Sequence, residues 1–214
     1  SASRLVCWRF EGGSSAALNV VAIPILLLFL LWQFGPYRGW LSKHATLSLP
    51  NLKKGRLLSL LLAPFLHRSM GELFHSGLVL SSSLETFDHA DISFVVFFVL
   101  YLVGAWAAWI GSAILWGYLL KSDTWSYKAE AYGAAGGMAA QMMFLARVRP
   151  EARFQFSLYM IPIPISLTAW QSCFAHSALD LVQSQPGMRQ RQILAHLSAW
   201  GTGWLLAGEW LKHN

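Results

Sequence analysis

Residues 131–140 read AYGAAGGMAA, and they open a hydrophobic stretch that runs on to Leu145. Gly133 and Gly137 form a GxxxG pair, Gly136 lies between them, and Ala134, Ala135 and Ala139 add almost no bulk. Helices in lipid gain nothing from leaving water, so they associate through close van der Waals packing, which small side chains permit. The stretch therefore predicts a short helix packed closely against several others, at the centre of a bundle. Gly133, Gly136 and Gly137 are the expected packing positions.

The rest of the chain indicates that the bundle lies in a membrane. The 214 residues are 55% hydrophobic and only 12% charged, whereas a soluble domain carries about a quarter charged residues. A membrane span needs roughly 20 mostly apolar residues. Val20–Trp32 and Ser93–Leu120 are the plainest candidates, joined by Leu57–Leu84, Ala131–Leu145, Phe156–Ala175 and Leu194–Leu211, six in all. Of the eleven Trp, Trp32, Trp40, Trp125 and Trp210 fall near expected span ends, as interfacial aromatic belts do. The fold class expected is all-α, a six-transmembrane-helix bundle, with a polar N-terminal tail over residues 1–17 and the membrane domain over 18–214.

Several functions are excluded by the same reading. The net charge of +6 is spread over connections rather than gathered into a groove with exposed aromatics, so no nucleic-acid partner is expected. Cys7 and Cys173 stand far apart without metal-type spacing, so neither a disulfide, a metal nor a cofactor is expected. The spans differ in length and share no repeat, which argues against an inverted-repeat transporter. The chain opens at Ser1 rather than Met, as expected of a processed organellar or secretory protein.

Lys and Arg on alternate sides of the spans suggest an orientation. Arg38, Lys43, Lys53, Lys54, Arg56, Lys121, Lys128, Arg189 and Arg191 share the side of the long first connection; Arg4, Arg9, Arg147, Arg149, Arg153 and Lys212 share the other. The positive-inside rule then places the first connection on the cytoplasmic or matrix side.

Polar groups inside spans carry whatever chemistry the chain has, because each charged one costs about 2.5–3.5 kcal/mol to insert. The second expected span contains FLHRSMGELFHS, with His67, Arg68, Glu72, His75 and Ser76. Arg68 and Glu72 stand four apart on one helical face, a spacing that allows an ion pair. The sixth contains AHLSAWGTGW, with His196 near its start. Taken singly, these groups read as polar links between helices.

Together, FLHRSMGELFHS, GAAG and AHLSA, in that order on the second, fourth and sixth spans, resemble the rhomboid intramembrane proteases. In that family an FxHxxxxHxxxN segment, a GxSG turn and an AHLGG-like histidine meet in a water-filled pocket. The prolines of MIPIPISL (Pro162, Pro164) fit the same pattern, and the resemblance covers residues 18 to the C-terminus. It implies a Ser–His dyad, in which a hydroxyl attacks the peptide carbonyl and the imidazole takes its proton. Here Ala135 stands where the serine is expected, and Glu72 and Ser76 stand where the family has its oxyanion donors. A methyl cannot attack, and a carboxylate repels a developing oxyanion. Ser69, Ser76 and Ser198 remain as hydroxyls, none in a GxSG turn. The expectation is a vestigial site of Ala135, His196, Glu72 and Ser76, and no catalysis.

Within the family, LSSSLETF after the second span and the GEWLKHN C-terminus resemble the mitochondrial presenilin-associated rhomboid-like proteases. That resemblance implies the inner membrane with the first loop in the matrix, in agreement with the charge count. The function expected is that of a structural or accessory subunit of a larger membrane complex, with other transmembrane proteins and membrane lipids as partners. One alternative is a pseudoprotease regulator that shields transmembrane clients. Another is a proton or ion conductor using Arg68, Glu72, His75, His176 and Asp180. Within the vestigial site, Glu72 is expected to contact His196, tying the second span to the sixth.

Overall fold

The computed structural model describes residues 13–115, 130–158, 161–183 and 189–213. They are mostly helical, as expected, with one two-stranded hairpin that an all-α reading does not contain. Helix α1 (Gly13–Phe34) begins inside the expected tail, of which residues 1–12 lie outside the described residues. It is followed by three short helices, α2 (Arg38–His44), α3 (Leu49–Lys53) and α4 (Leu58–Leu62). The long helices α5 (Met70–His89) and α6 (Phe94–Ile110) come next, the latter ending in a wider π-helical turn, Gly111–Leu115. Then follow α7 (Ala135–Val148), strands β1 (Arg153–Leu158) and β2 (Ile161–Thr168), α8 (Ala169–Gln183) and α9 (Arg189–His213).

Two stretches, Ala17–Phe34 and Phe94–Ala113, are long and apolar enough to cross a membrane. The expected second span is broken. Pro64 sits in a 3-10 turn, Ala63–Phe65, and the chain stays extended through Leu66. Ser69 then starts α5 with a capping box: its hydroxyl accepts from the Glu72 backbone N–H, and the Glu72 carboxylate reaches back to the N-cap N–H. This arrangement satisfies two donors left free at a helix start, so the helix begins at Met70 rather than Leu57. The expected fifth span, Phe156–Ala175, is also divided, into strand and helix. Pro162 and Pro164 lack the N–H that a helix interior requires, and they lie in β2, antiparallel to β1 with Arg153 opposite Thr168.

Helix α7 is the centre of the packing. Every residue from Gly137 to Ala146 is buried, and α6, α8, α9 and α5 surround it. Its glycines permit this. A Cβ on Gly136 would stand 2.5 Å from the Ala108 methyl, one on Gly137 would meet the Tyr101 carbonyl oxygen, and one on Gly203 of α9 would meet the Ala140 carbonyl. The expected Gly133–Gly137 pair does not form a helix face. Gly133 precedes α7 at φ +90°, where a side chain would be strained, and a Cβ there would approach nothing nearer than 3.8 Å. Gln141, buried on the same helix, donates to the Phe97 carbonyl at 2.9 Å.

The first connection is folded. Asn51 donates to the Thr46 carbonyl at 2.9 Å and accepts from Arg56 at 2.9 Å. The Leu47 and Ala131 backbones exchange hydrogen bonds of 2.9 and 2.8 Å, joining this connection to the start of α7. Tyr101 donates to the Pro64 carbonyl at 2.7 Å, and Trp106 to that of Leu60 at 2.8 Å. Thus the broken segment before α5 finds its missing backbone partners on α6.

Candidate functional site

A cavity of about 440 Å3 lies between α5, α6, α7 and α9. Four residues singled out from the sequence, Glu72, Ser76, Ala135 and His196, all line it. Gly133 fixes the entry to α7: its N–H donates to the Ala63 carbonyl at 2.8 Å, and Ala135 is the first residue of the helix. Ala135, where the resemblance implies a serine, brings only a methyl to the cavity wall. On the opposite wall, Ser76 is occupied, since its Oγ is 2.8 Å from His67 Nε2. The other ring nitrogen of His67 is 3.1 Å from the Phe65 carbonyl oxygen, which can only accept. His67 Nδ1 thus carries the hydrogen, and Ser76 donates to Nε2.

The expected contact of Glu72 with His196 is corrected, and the ion pair that the Arg68–Glu72 spacing allowed does not form. Arg68 and Glu72 do not share a helical face, because Arg68 precedes the first turn of α5. Its backbone N–H donates to the Glu72 carboxylate at 2.8 Å, while its guanidinium donates to Glu130 at 2.7 Å and lies over the Tyr132 and Trp32 rings at 4.0 and 4.6 Å. The Glu72 carboxylate is taken up by the start of its own helix. His196 instead faces Asp180, with Nε2 3.2 Å from Oδ2. The partner on the second span is replaced by one on α8, because Glu72 lies where two backbone N–H groups need an acceptor.

Asp180 is also approached by two more imidazoles. His75 Nδ1 is 3.5 Å from Oδ1 and His176 Nε2 is 3.9 Å from Oδ2. His176 and Asp180 are one turn apart on α8, a spacing that brings both to one face; His75 comes from α5 and His196 from α9. His176 and His196 are buried, and their rings stand nearly perpendicular with centroids 5.6 Å apart. Of the groups proposed for a conducting path, the structure brings together His75, His176 and Asp180 and assigns Arg68 and Glu72 to other contacts. The importance of Asp180 to His196 was not read from the sequence, although the HxxxD spacing of His176 and Asp180 was visible there.

The chemical capacity of this cavity follows from its lining. It is lined by the imidazoles of His67, His75 and His196 and by the carboxylates of Glu72, Glu130 and Asp180, and at Ala135 it presents a methyl rather than a hydroxyl. Ser76 is within reach only of His67, which is oriented by a carbonyl rather than a carboxylate. Ser198 packs against Gly111 of the π-helical turn, where a Cβ would collide with it. Compared with protein-family models, with curated proteins and with solved structures, the chain matches none.

Proposed function

We propose that this chain is a catalytically inactive, rhomboid-like membrane protein that serves as a structural or accessory subunit of a multisubunit complex in the mitochondrial inner membrane. The observation that carries this reading is the convergence of Ala135, His196, Glu72 and Ser76 on one cavity, with a methyl group at the nucleophile position. Three segments distant in sequence line that one cavity, which supports the resemblance. Two polar members hold structure, Glu72 by capping α5 and Ser76 by bonding His67, while His196 faces Asp180 without a closed hydrogen bond.

The outer surface supports a role in binding other helices. On α1, Ile23, Leu26 and Leu27 are exposed, as are Trp170 and Phe174 on α8 and Leu205 on α9. Apolar patches of this extent mark contacts with lipid or with other proteins. In the proposed six-span arrangement, α1, α5, α6, α7, α8 and α9 cross the bilayer, and the first connection lies on the matrix side. Stable copurification in fixed stoichiometry, with migration on a blue-native gel well above the 23.9 kDa chain plus detergent, is the expected result. Exchange among many clients would favour a regulator, and migration as a lone chain would overturn the subunit reading.

A further inference from the structure

The polar cluster behind the cavity has a hydrogen-bond arrangement that does not close without a cation. Nε2 of His176 is 3.2 Å from the Ala135 carbonyl oxygen, an acceptor only, so Nε2 carries the ring hydrogen. Nδ1 of the neutral ring then presents its lone pair to Nε2 of His75, 3.2 Å away. If His75 answers with a hydrogen on Nε2, its own Nδ1 lone pair faces Oδ1 of Asp180 at 3.5 Å. Two acceptors then confront each other in a largely buried place.

A proton on His75 would resolve that one contact and leave another unmet. Oδ2 of Asp180 and both ring nitrogens of His196 have no hydrogen-bond partner in the structure, although His196 Nε2 and Oδ2 stand 3.2 Å apart. His196 is only 3% exposed, so water outside the cavity does not satisfy it. Buried polar atoms left unpaired in this way call for an ion or an ordered water.

We propose that His75, His176 and Asp180 bind a divalent transition metal of the zinc class, with an open coordination position toward the cavity and His196. Donor atoms from these three residues lie within 4.8 Å of one another. The 3.2 Å between the facing nitrogens of His75 and His176 is close to the edge of a zinc tetrahedron, about 3.3 Å for metal–nitrogen bonds of about 2.0–2.1 Å, and Asp180, which contacts the opposite nitrogen of each ring, would turn toward that pair to complete the set. Two imidazoles and a carboxylate suit such a metal, whereas magnesium and calcium prefer oxygen alone. The bond from His176 Nε2 to the Ala135 carbonyl is the outer contact that a ligating histidine normally makes, fixing its tautomer and aiming Nδ1. His75 and Asp180 line the cavity while His176 lies behind them, so a fourth ligand enters from the cavity side. A metal-bound water there is positioned to serve the unpartnered atoms of Asp180 and His196.

The test uses the whole chain in detergent, stripped with EDTA and titrated with Co2+ alone. The expected result is one ion per chain, ligand-field absorption bands in the visible, displacement by Zn2+ and a raised thermal midpoint. His176→Gln and Asp180→Asn should each weaken binding by more than the about 10- to 100-fold that changes to outer contacts cause. His67→Gln, a change at a buried histidine bonded to Ser76, should leave the bands intact. X-ray absorption of the zinc-loaded wild-type protein needs no variant and should show imidazole in the first coordination shell. Folded wild-type protein that takes up no stoichiometric metal would overturn the proposal and leave a proton as the missing cation. Unchanged binding in His176→Gln and Asp180→Asn, or a first shell lacking imidazole, would also overturn it.

Discussion

Adding one methyl group at Gly137 should separate the central helix from α6. A Cβ there would fall on the Tyr101 carbonyl oxygen, with Tyr101 Cδ2 at 2.8 Å and its Cα at 3.0 Å. Two of those atoms are backbone and cannot rotate away. The ring is held as well, because it is fully buried and its hydroxyl donates to the Pro64 carbonyl at 2.7 Å. Alanine is the better helix former by about 0.8–1 kcal/mol, while overpacking costs about 1–3 kcal/mol, and displacing Tyr101 loses a hydrogen bond of about 0.5–1.5 kcal/mol. Gly137→Ala should therefore destabilise the bundle by about 1–2 kcal/mol, roughly a 5- to 30-fold fall in the folded-to-unfolded ratio. Gly201→Ala is the matched control: it lies on α9, is exposed, and a Cβ there meets nothing within 4 Å. Helix propensity acts alone at that position and should stabilise by up to about 1 kcal/mol. Reaction of the buried Cys173 thiol with a fluorogenic maleimide on heating, in a Cys7→Ser background, reports unfolding in detergent. A Gly137→Ala midpoint equal to wild type, or one matched by Gly201→Ala, would refute the packing argument.

The α5 cap should show in the same assay: Ser69→Ala removes the hydroxyl that accepts from Glu72 N–H and should cost about 1 kcal/mol, and an unchanged midpoint would count against the capping box. His67→Ala strands the buried Ser76 hydroxyl and should cost about 1–3 kcal/mol, with the His67→Ala, Ser76→Ala double variant less destabilised than the sum of the singles; strict additivity would show that the pair is not coupled. Ala135→Ser should not cleave a transmembrane reporter, because Glu72 brings a carboxylate to the cavity and Ser76 is taken up by His67, which leaves a developing oxyanion without donors. Robust cleavage that disappears in an Ala135→Ser, His196→Ala double variant would sink that expectation.

The central position of α7 was legible because small residues carry an unambiguous steric message: few arrangements other than close approach make use of AGGMAA. The break before α5 was legible too but was passed over. SMGE is a capping-box sequence, and Pro64 upstream already argued against a helix running from Leu57. Apolar composition outweighed those local signals, since a hydrophobic run reads alike whether it forms one helix or a turn followed by another. The same bias drew the proline-punctuated strand β2 into a fifth span. The partner of His196 was a different kind of problem. Glu72 lines the same cavity as His196 and Asp180 lies on the neighbouring α8, and the choice between them depends on helix rotation and register, which no single sequence specifies. What decided it was the demand of the Arg68 and Ser69 N–H groups on Glu72, a local need that outweighed the longer-range one.

The brevity of α7 bears on how the protein is made. At 14 residues it is about 21 Å long, so in the proposed six-span arrangement it falls short of the roughly 30 Å hydrocarbon layer, and it carries Gln141 and paired glycines. Such a segment is poorly suited to leave a translocation channel alone. Its enclosure requires α9, whose Gly203 rests on the Ala140 backbone and whose Trp204 carbonyl accepts from Arg147 at 2.6 Å. Because α9 follows α7 and α8 in the chain, the packing around α7 is completed only after synthesis has reached α9. A chain interrupted after α8 would leave the side of α7 around Ala140 uncovered and is expected to be degraded faster than one that includes α9.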